Sequence, residues 1–391
     1  MNQKRALPVL FLVMFFVMVG FGIIIPVLPF YAEELGASAF ELGLLMAVYS
    51  LMQLLFSPMW GRISDRIGRK PVILTGIFGL AISFFLMALS SKLWMLFAAR
   101  IIGGFLSSAN MPTVTAYVAD ITTEEDRGKG MGIIGAAVGL GFILGPAIGG
   151  IFSKNSLSLP FFIAGISSFV TFLLVLFVLK ESLTPEQRGK TEAEKISVVK
   201  QLQEPTGILY FLQLFVSLSL SGLEATFAYF VAKTAGLDTV ELGYLFMIMG
   251  FAGALVQGGL VGVLTRRYGE SFVIQLGIII SALGFGLILF IDSFVTAAIF
   301  LTIFGIGNGF IRPAVSALLT KQSSAGHGSV TGLLSSFDSL GRIIGPPLGG
   351  WLFGLSIGLP YISGIVLSLI AYILFRVYAR LSQHKEEVYR A

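Results

Sequence analysis

Apolar residues along this chain come in long runs separated by short polar segments. A helix that crosses a hydrocarbon core of ~30 Å needs roughly twenty apolar residues. These runs lack the alternation of barrel strands, and only helices or closed barrels satisfy the backbone in lipid, so we predict an all-α membrane protein. The twelve predicted transmembrane helices are 8–30, 42–61, 72–91, 94–117, 131–153, 159–179, 207–231, 241–264, 272–291, 294–319, 329–353 and 358–375.

Composition agrees with this pattern. Of 391 residues, 55% are hydrophobic and 12% charged, whereas an average soluble domain carries about 25% charged residues. The first run follows Lys4 and Arg5, is too long for the apolar region of a signal peptide and has no small-residue cleavage site after it. We therefore interpret it as a retained span.

Basic residues set the predicted orientation. With the N-terminus in the cytoplasm, 20 of the 26 Lys and Arg residues fall in cytoplasmic segments. Such a bias is typical of cytoplasmic loops. We therefore expect both termini in the cytoplasm. Because most of the basic residues lie in these short loops, the net charge of +5 gives little reason to expect nucleic acid as a partner.

The chain repeats itself with an offset of about 200 residues. "GFILGPAIGG" at 141–150 returns as "GRIIGPPLGG" at 341–350, and "ELG" at 41–43 returns at 241–243. A polar segment separates the halves, which predicts a six-helix bundle (1–179), a cytoplasmic linker (180–206), partly an amphipathic surface helix, and a second bundle (207–391). Parallel repeats of this kind are one transporter design, with the substrate site expected near the midplane between the halves.

The repeated stretch has two interpretations. Glycines spaced by four allow helix backbones to approach closely, and Pro146 and Pro346 are expected to bend their helices. The stretch is then either ordinary tight packing or a gating element along which the bundles slide. The gating candidates here are Gly141, Gly145, Pro146, Gly149, Gly345, Pro346 and Gly349.

Four segments resemble the major facilitator superfamily. "GRISDRIGRK" at 61–70 resembles its motif A, "RIIGG" at 100–104 its motif B, and "GFILGPAIGG" its motif C, which marks drug–proton antiporters. "GFGIIIPVLP" at 20–29 is similar to the first span of twelve-helix drug exporters. The most similar pattern is that of the multidrug (quinolone and dye) exporters of Gram-positive bacteria, with tetracycline exporters as neighbours.

The resemblance implies the major facilitator fold, a place in the bacterial inner (cytoplasmic) membrane, and proton-driven export of lipophilic, often cationic drugs. It also implies that motif A couples the halves, through Gly61, Asp65, Arg66, Gly68 and Arg69. Asp65 is expected just before the third helix, where a carboxylate meets the positive end of the helix.

Ionisable residues inside the spans are expensive and so are candidates for function. Glu224, in the seventh span, has no basic neighbour in sequence, and we expect it to carry a proton or contact a drug, with a structural hydrogen bond as the alternative. Asp338 and Arg342 share a helix face and form either a self-neutralising pair or a proton-dependent switch. Arg100 either bonds carbonyls of the first span or tunes a nearby acid.

Arg312 marks a departure from the family. The exporters that the chain resembles have an acid three residues before this arginine, where this chain has Gly309. Fewer membrane acids then remain to carry protons. We count Arg312 among the candidates for substrate binding, with Glu224 and a set of aromatic and polar residues on central spans: Phe16, Tyr49, Gln53, Asn110, Tyr117, Phe142, Phe227, Tyr229 and Phe310.

Other functions fit less well. No nucleophile–base–acid set occurs, and "GKT" at 189–191 lacks the earlier glycine of a P-loop because Thr184 occupies that position, so neither an enzyme nor an ATP-driven pump is expected. The chain has no cysteine, and His327 and His384 form no cluster, so we expect no metal and no cofactor. A sugar-type symporter, an exporter of a metabolite or lipid, and a non-transporting sensor or scaffold stay as alternatives. The predicted partners are a drug-like molecule, protons and the bilayer, with the chain as a monomer.

Overall fold

A computed structural model of the chain describes residues 3–184, 198–322 and 327–390. Every regular element in these ranges is a helix. In the first part of the chain the helices are α1 (Gln3–Glu34), α2 (Ala39–Ile67), α3 (Arg69–Ala88), α4 (Leu93–Ser107), α5 (Asn110–Ile121), α6 (Glu124–Ser153) and α7 (Leu159–Val178). They continue as α8 (Val198–Gln203), α9 (Gly207–Ala235), α10 (Thr239–Leu255), α11 (Val261–Tyr268), α12 (Glu270–Ile288), α13 (Phe294–Gln322), α14 (His327–Leu355) and α15 (Leu359–Arg390).

Eleven helical segments in the described ranges are long and apolar enough to cross a membrane. Two predicted spans are composite: α4 and α5 form Leu93–Ile121, while α10, a π-helical turn at Val256–Leu260 and α11 form Thr239–Tyr268. The predicted span 329–353 lies within α14. The prediction of an all-α membrane protein is confirmed. Most of the predicted surface helix in the linker, residues 185–197, lies outside the described residues.

The described residues fall into two compact units. In the first, α1 packs on α6 and α7, and α3 packs on α4 and α7. In the second, α9 packs on α14 and α15, and α12 packs on α13 and α15. The same pairing pattern thus occurs in both units, as a sequence repeat should produce. The first unit comprises the described residues within 1–38, 44–193 and 238–247, and the second those within 39–43, 194–237 and 248–391.

Gly141, Gly145 and Gly149 form a glycine stripe on α6, and along this stripe the helix packs directly on the backbone of α1. Carbonyl oxygens of α1 lie so near that a Cβ on these glycines would clash with them. The distances from such a Cβ are 2.5 Å for Gly141 to the oxygen of Phe15, 2.6 Å for Gly145 to that of Val19 and 2.9 Å for Gly149 to that of Ile23. The spacing of four in the sequence is therefore a packing requirement along one helix face.

The stripe of α14 meets α9 in the same way. A Cβ at Gly341 would lie 2.9 Å from the carbonyl oxygen of Leu214, and one at Gly349 would lie 2.9 Å from that of Gly222. A Cβ at Gly345 would clash with Ser221 Oγ and with the carbonyl oxygen of Leu218. The ordinary interpretation of the repeated stretch, tight helix packing, accounts for these contacts within each unit. Its gating role stays a prediction.

A second side of each Gly-Pro helix is also in backbone contact. In the first unit, a Cβ at Gly243 would lie 2.5 Å from the carbonyl oxygen of Pro146, and Ser153 Oγ donates to Thr239 Oγ1 over 2.6 Å. In the second unit, a Cβ at Gly43 would lie 2.7 Å from Pro347 Cα. Gly43 and Gly243 therefore leave no room for a side chain where they approach the Gly-Pro helices.

We predict that Gly145→Ala destabilises the protein because its methyl group meets a carbonyl oxygen that cannot move away. Overpacking of this kind costs about 1–3 kcal/mol. The matched control is Gly135→Ala on the same helix, where nothing lies within 4 Å of the added Cβ. Thermal unfolding of both purified variants, followed by monodispersity in gel filtration, is the measurement. Equal melting temperatures for the two variants would contradict the packing account.

Candidate functional site

Polar side chains follow one face of α9 where this helix packs on α14. Gln213, Ser217 and Ser221 are spaced by four residues, so they lie above one another on the helix. Ser221 Oγ donates to the carbonyl oxygen of Gly341 over 3.0 Å. The close backbone contact at the α14 glycines thus brings this polar face against the side chains of α14.

Four ionisable side chains meet in the second unit, contributed by α9, α13 and α14. Arg342 Nη1 lies 3.9 Å from Glu224 Oε2, and Arg342 Nε lies 3.7 Å from Asp338 Oδ2. Arg312 Nη1 lies 3.5 Å from Asp338 Oδ2. The order of contact is Arg312, Asp338, Arg342, Glu224, with alternating charge. All three distances exceed those of strong charge-assisted hydrogen bonds, so the ion pairs are loose.

The two acids have different surroundings. Asp338 Oδ1 accepts hydrogen bonds from Gln213 Nε2, over 3.1 Å, and from Ser217 Oγ, while its other oxygen faces two arginines. Glu224 faces Arg342 alone among the described residues. Its side chain is 7% exposed, against 12% for that of Asp338. Asp338 therefore has two hydrogen-bond donors and two arginines around it, whereas neutralising Glu224 would cost one ion-pair contact.

Glu224, Asp338 and Arg342 are candidates from the sequence, and the structure places them together. It did not identify Gln213 and Ser217, which complete the surroundings of Asp338. The signal was present as the four-residue spacing of polar side chains along α9. The spacing alone does not say which helix this face meets.

Arg100 forms a separate site in the first unit. Its side chain is enclosed: the residue is 4% exposed, its Nε donates to the carbonyl oxygen of Leu45 over 3.3 Å, and its guanidinium lies 4.3 Å from the centre of the Tyr49 ring. The carbonyl belongs to α2, so the expected partner in the first span was wrong. A carbonyl and an aromatic face both attract a cation, and these contacts join α4 to α2. A part for Arg100 in proton coupling stays a prediction.

The motif A residues form an ion cluster at the junction of α2 and α3. Arg69 Nη1 donates to Asp65 Oδ1 over 2.6 Å and to Ser64 Oγ over 2.7 Å. Arg69 Nε donates to Asp120 Oδ2 over 3.0 Å, which ties the cluster to α5. Arg66 is exposed, and a Cβ at Gly61 would come no closer than 4.0 Å to another atom, so packing places no demand on that glycine.

The carboxylate at the start of α3 is not the expected one. Glu181 Oε1 accepts from the backbone N–H of Arg69 over 2.8 Å, and its Oε2 accepts from that of Lys70 over 3.1 Å. Asp65 instead lies in α2 and binds the side chain of Arg69, so the prediction that it meets the helix end was wrong. The chain turns at Gly68, with φ of 113°, a conformation that favours glycine. This turn points the free N–H groups of α3 toward Glu181, which sequence reasoning missed.

The predicted drug-contacting residues divide by burial. Six of the nine aromatic and polar candidates are buried among other side chains: Tyr49, Asn110, Tyr117, Phe227, Tyr229 and Phe310. Tyr117 donates its hydroxyl to the carbonyl oxygen of Lys180, and Phe310 belongs to the apolar core of the second unit. These six side chains pack against other protein groups in this structure, and their contact with a substrate stays a prediction. Phe16, Gln53 and Phe142 are half-buried, and for them substrate contact stays a prediction.

Comparisons with known proteins agree over nearly the whole chain. The family model described as the Major Facilitator Superfamily matches residues 10–270 and 209–390. "Multidrug resistance protein 2" of Bacillus subtilis is 33% identical over 94% of this chain and 93% of that protein. "Quinolone resistance protein NorA" of Staphylococcus aureus is 29% identical over 94% of this chain and 95% of that protein. Among solved structures, a bacterial homologue of the human lysosomal transporter Spinster is 17% identical with a TM-score of 0.79, covering 97% of both chains, which shows the fold alone.

We predict that Glu181→Ala weakens the junction of α2 and α3, because two backbone N–H groups at the start of α3 lose their acceptor. Loss of a helix cap costs about 0.5–2 kcal/mol. Glu33→Ala, at an exposed position near the end of α1, is the control. Hydrogen exchange of the amides of residues 69 and 70 should accelerate in Glu181→Ala and stay unchanged in Glu33→Ala. Unchanged protection in both would refute the capping role.

Proposed function

Because the chain belongs to the Major Facilitator Superfamily, we propose that it exports lipophilic, drug-like molecules in exchange for protons. Proteins of this family are transporters and not enzymes, and this chain is a multi-pass membrane protein that handles small molecules. Relatives named for multidrug and quinolone resistance support drugs as the cargo.

The observation that carries proton coupling is the contrast between the two acids. Glu224 is buried and has one loose partner, Arg342, which it shares with Asp338. A proton on Glu224 removes the negative charge that attracts Arg342. Arg342 then has Asp338 as its charged partner. Loss of the proton restores the attraction of Glu224. The protonation state of one residue thereby sets the balance of contacts between α9 and α14, which is the kind of two-state element that coupling requires.

Asp338, Arg342 and Arg100 have supporting roles in this proposal. Asp338 stays ionised and positions Arg342 and Arg312. Arg342 shifts its ion pairing from one acid to the other. Arg100 holds α4 on α2 within the first unit. Transport proceeds by alternating access, with the site open to one side of the membrane at a time.

The remaining features follow from the topology and the relatives. Bacterial relatives support a cell-membrane location, and the distribution of basic residues supports cytoplasmic termini. The working unit in this proposal is a monomer of two six-helix bundles, residues 1–179 and 207–391, without a cofactor.

We predict that Glu224→Gln abolishes transport driven by a pH gradient. The native chain in liposomes with an acidic lumen should accumulate both a permanently charged cationic dye and a fluorescent quinolone, since protons leaving the lumen drive substrate inward. Gln keeps the shape of the side chain and cannot release a proton. Fluorescence uptake, compared with protein-free liposomes, is the measurement.

Glu33→Gln, the same chemical change at an exposed position, should keep native uptake and serves as the control. If the gradient moves neither compound in the native chain, the antiport proposal is wrong. If Glu224→Gln transports as well as the native chain, Glu224 is not the proton carrier.

We predict a different defect for Asp338→Asn. Asn keeps a hydrogen-bonding side chain but loses the charge that holds Arg312 and Arg342, so substrate binding suffers as well as coupling. Exchange of labelled for unlabelled substrate across liposomes without a gradient should fall at least tenfold in Asp338→Asn and persist in Glu224→Gln. Equal exchange in the two variants would show that the acids are interchangeable.

A further inference from the structure

A small cavity lies inside the second unit, between α9, α12, α13 and α15. Its lining is mostly apolar, but each of these helices contributes one polar side chain: Ser219, Ser281, Asn308 and Ser368. The space open to the centre of a water molecule is about 10 Å³. A buried water needs roughly 10–15 Å³ of such space. The cavity therefore has the size of one water molecule and is too small for a drug-like compound.

The three serines of this cavity differ in their hydrogen bonds. Serine hydroxyls in helices commonly bond the carbonyl four residues back. Ser219 Oγ donates in this way to the carbonyl oxygen of Phe215 over 2.7 Å, and Ser368 Oγ donates to that of Gly364 over 2.8 Å. The Ser281 side chain is buried, with 4% of the residue exposed, and its Oγ has no hydrogen-bond partner among the described residues. A buried hydroxyl without a partner is unfavourable.

Close packing of α12 on α13 holds Ser281 in this position. A Cβ at Gly307 would lie 2.4 Å from the backbone nitrogen of Ser281 and 2.9 Å from the carbonyl oxygen of Gly277. That carbonyl is the one four residues before Ser281, so the backbone of α13 lies directly against it. Asn308, the next residue of α13, lines the cavity and carries both amide donors and a carbonyl acceptor.

The chemistry of the lining selects a neutral ligand. The oxygen atoms of Ser219 and Ser368 already donate their protons and keep lone pairs that can accept, while Ser281 and Asn308 can donate. A buried water makes about three hydrogen bonds, and this set supplies them. A metal cation would find neutral oxygens alone, since no charged side chain of the described residues lines the cavity. A buried charge without a counter-charge is very costly.

We propose that one water molecule is resident in this cavity and links α9, α12, α13 and α15 by hydrogen bonds. Ser281 and Asn308 are the donors that hold it, and Ser219 and Ser368 accept from it. Asn308 lies four residues before Arg312 on the same face of α13. The water thereby ties the turn of α13 that precedes Arg312 to three other helices. This role depends neither on the transported compound nor on protons.

The direct test is a map of the native full chain by cryo-electron microscopy, in lipid nanodiscs with a bound antibody fragment, at a resolution that shows ordered water. A density peak should lie within hydrogen-bonding distance of Ser281 Oγ and the Asn308 amide. A map with ordered water elsewhere in the protein and none at this site would overturn the proposal. A peak that disappears when choline replaces sodium in the buffer would mark an ion and would overturn it too.

Variants test the hydrogen bonds of this water. Ser281→Ala should lower the melting temperature by roughly 2–4 °C, the effect of one lost hydrogen bond in a unit of this size. Ser271→Ala, at an exposed position of the same helix, is the control and should melt as the native chain does. Without a resident water, Ser281→Ala removes an unsatisfied hydroxyl, so a melting temperature equal to or above the native one would contradict the proposal.

A double-mutant cycle shows whether Ser281 and Asn308 share one ligand. Asn308→Leu removes the amide at nearly constant volume. Because both residues bind the same water, the double variant should lose less stability than the two single variants together. Losses that add fully would mean that the two side chains act independently, which is incompatible with a shared water.

Discussion

The close contact between the backbones of α9 and α14 is the constraint on which the charged cluster depends. Gly341, Gly345 and Gly349 remove the side chains that would hold the helices apart. At that separation Gln213 and Ser217 on α9 reach Asp338 on α14. Without it, an aspartate at this depth would have only distant arginines, and a buried carboxylate with so little compensation would be unstable. The hydrogen bonds of Asp338 therefore depend on the close packing of α9 and α14.

The two halves share their packing and differ in their charge. The glycines of α6 contact α1 as those of α14 contact α9, yet the α1 residues whose carbonyl oxygens they approach, such as Val19 and Ile23, have apolar side chains. The ionisable side chain deep in the first unit is Arg100, which a carbonyl and an aromatic ring stabilise. The repeat thus supplies the same helix packing twice, while the cluster of Glu224, Asp338, Arg312 and Arg342 lies in the second unit. This asymmetry makes the second unit the place to look for coupling.

The sequence was sufficient for the helices and for most of the charged site, because both follow from local rules. Long apolar runs demand helices in lipid, and Glu224, Asp338 and Arg342 stand out as charges where charge is costly. The rest depended on which surfaces meet. Glu181 lies far from α3 in sequence, so its role as the cap of that helix could not be read from either segment, and Asp65 was the nearer but wrong choice. In the same way, Tyr117 and Phe310 have the composition of cavity walls and the positions of core residues.

The glycine stripes divide the chain into positions that tolerate change and positions that do not. Along each stripe a single added methyl group meets main-chain atoms of the neighbouring helix, so substitutions there are expected to destabilise the fold. At Arg312 the surface is open, since its side chain is 53% exposed. Substitution of such an exposed side chain displaces no main-chain atom, so we expect it to cost little in folding. Tolerance to substitution is therefore set, position by position, by how closely the residue approaches the main chain of a neighbouring helix.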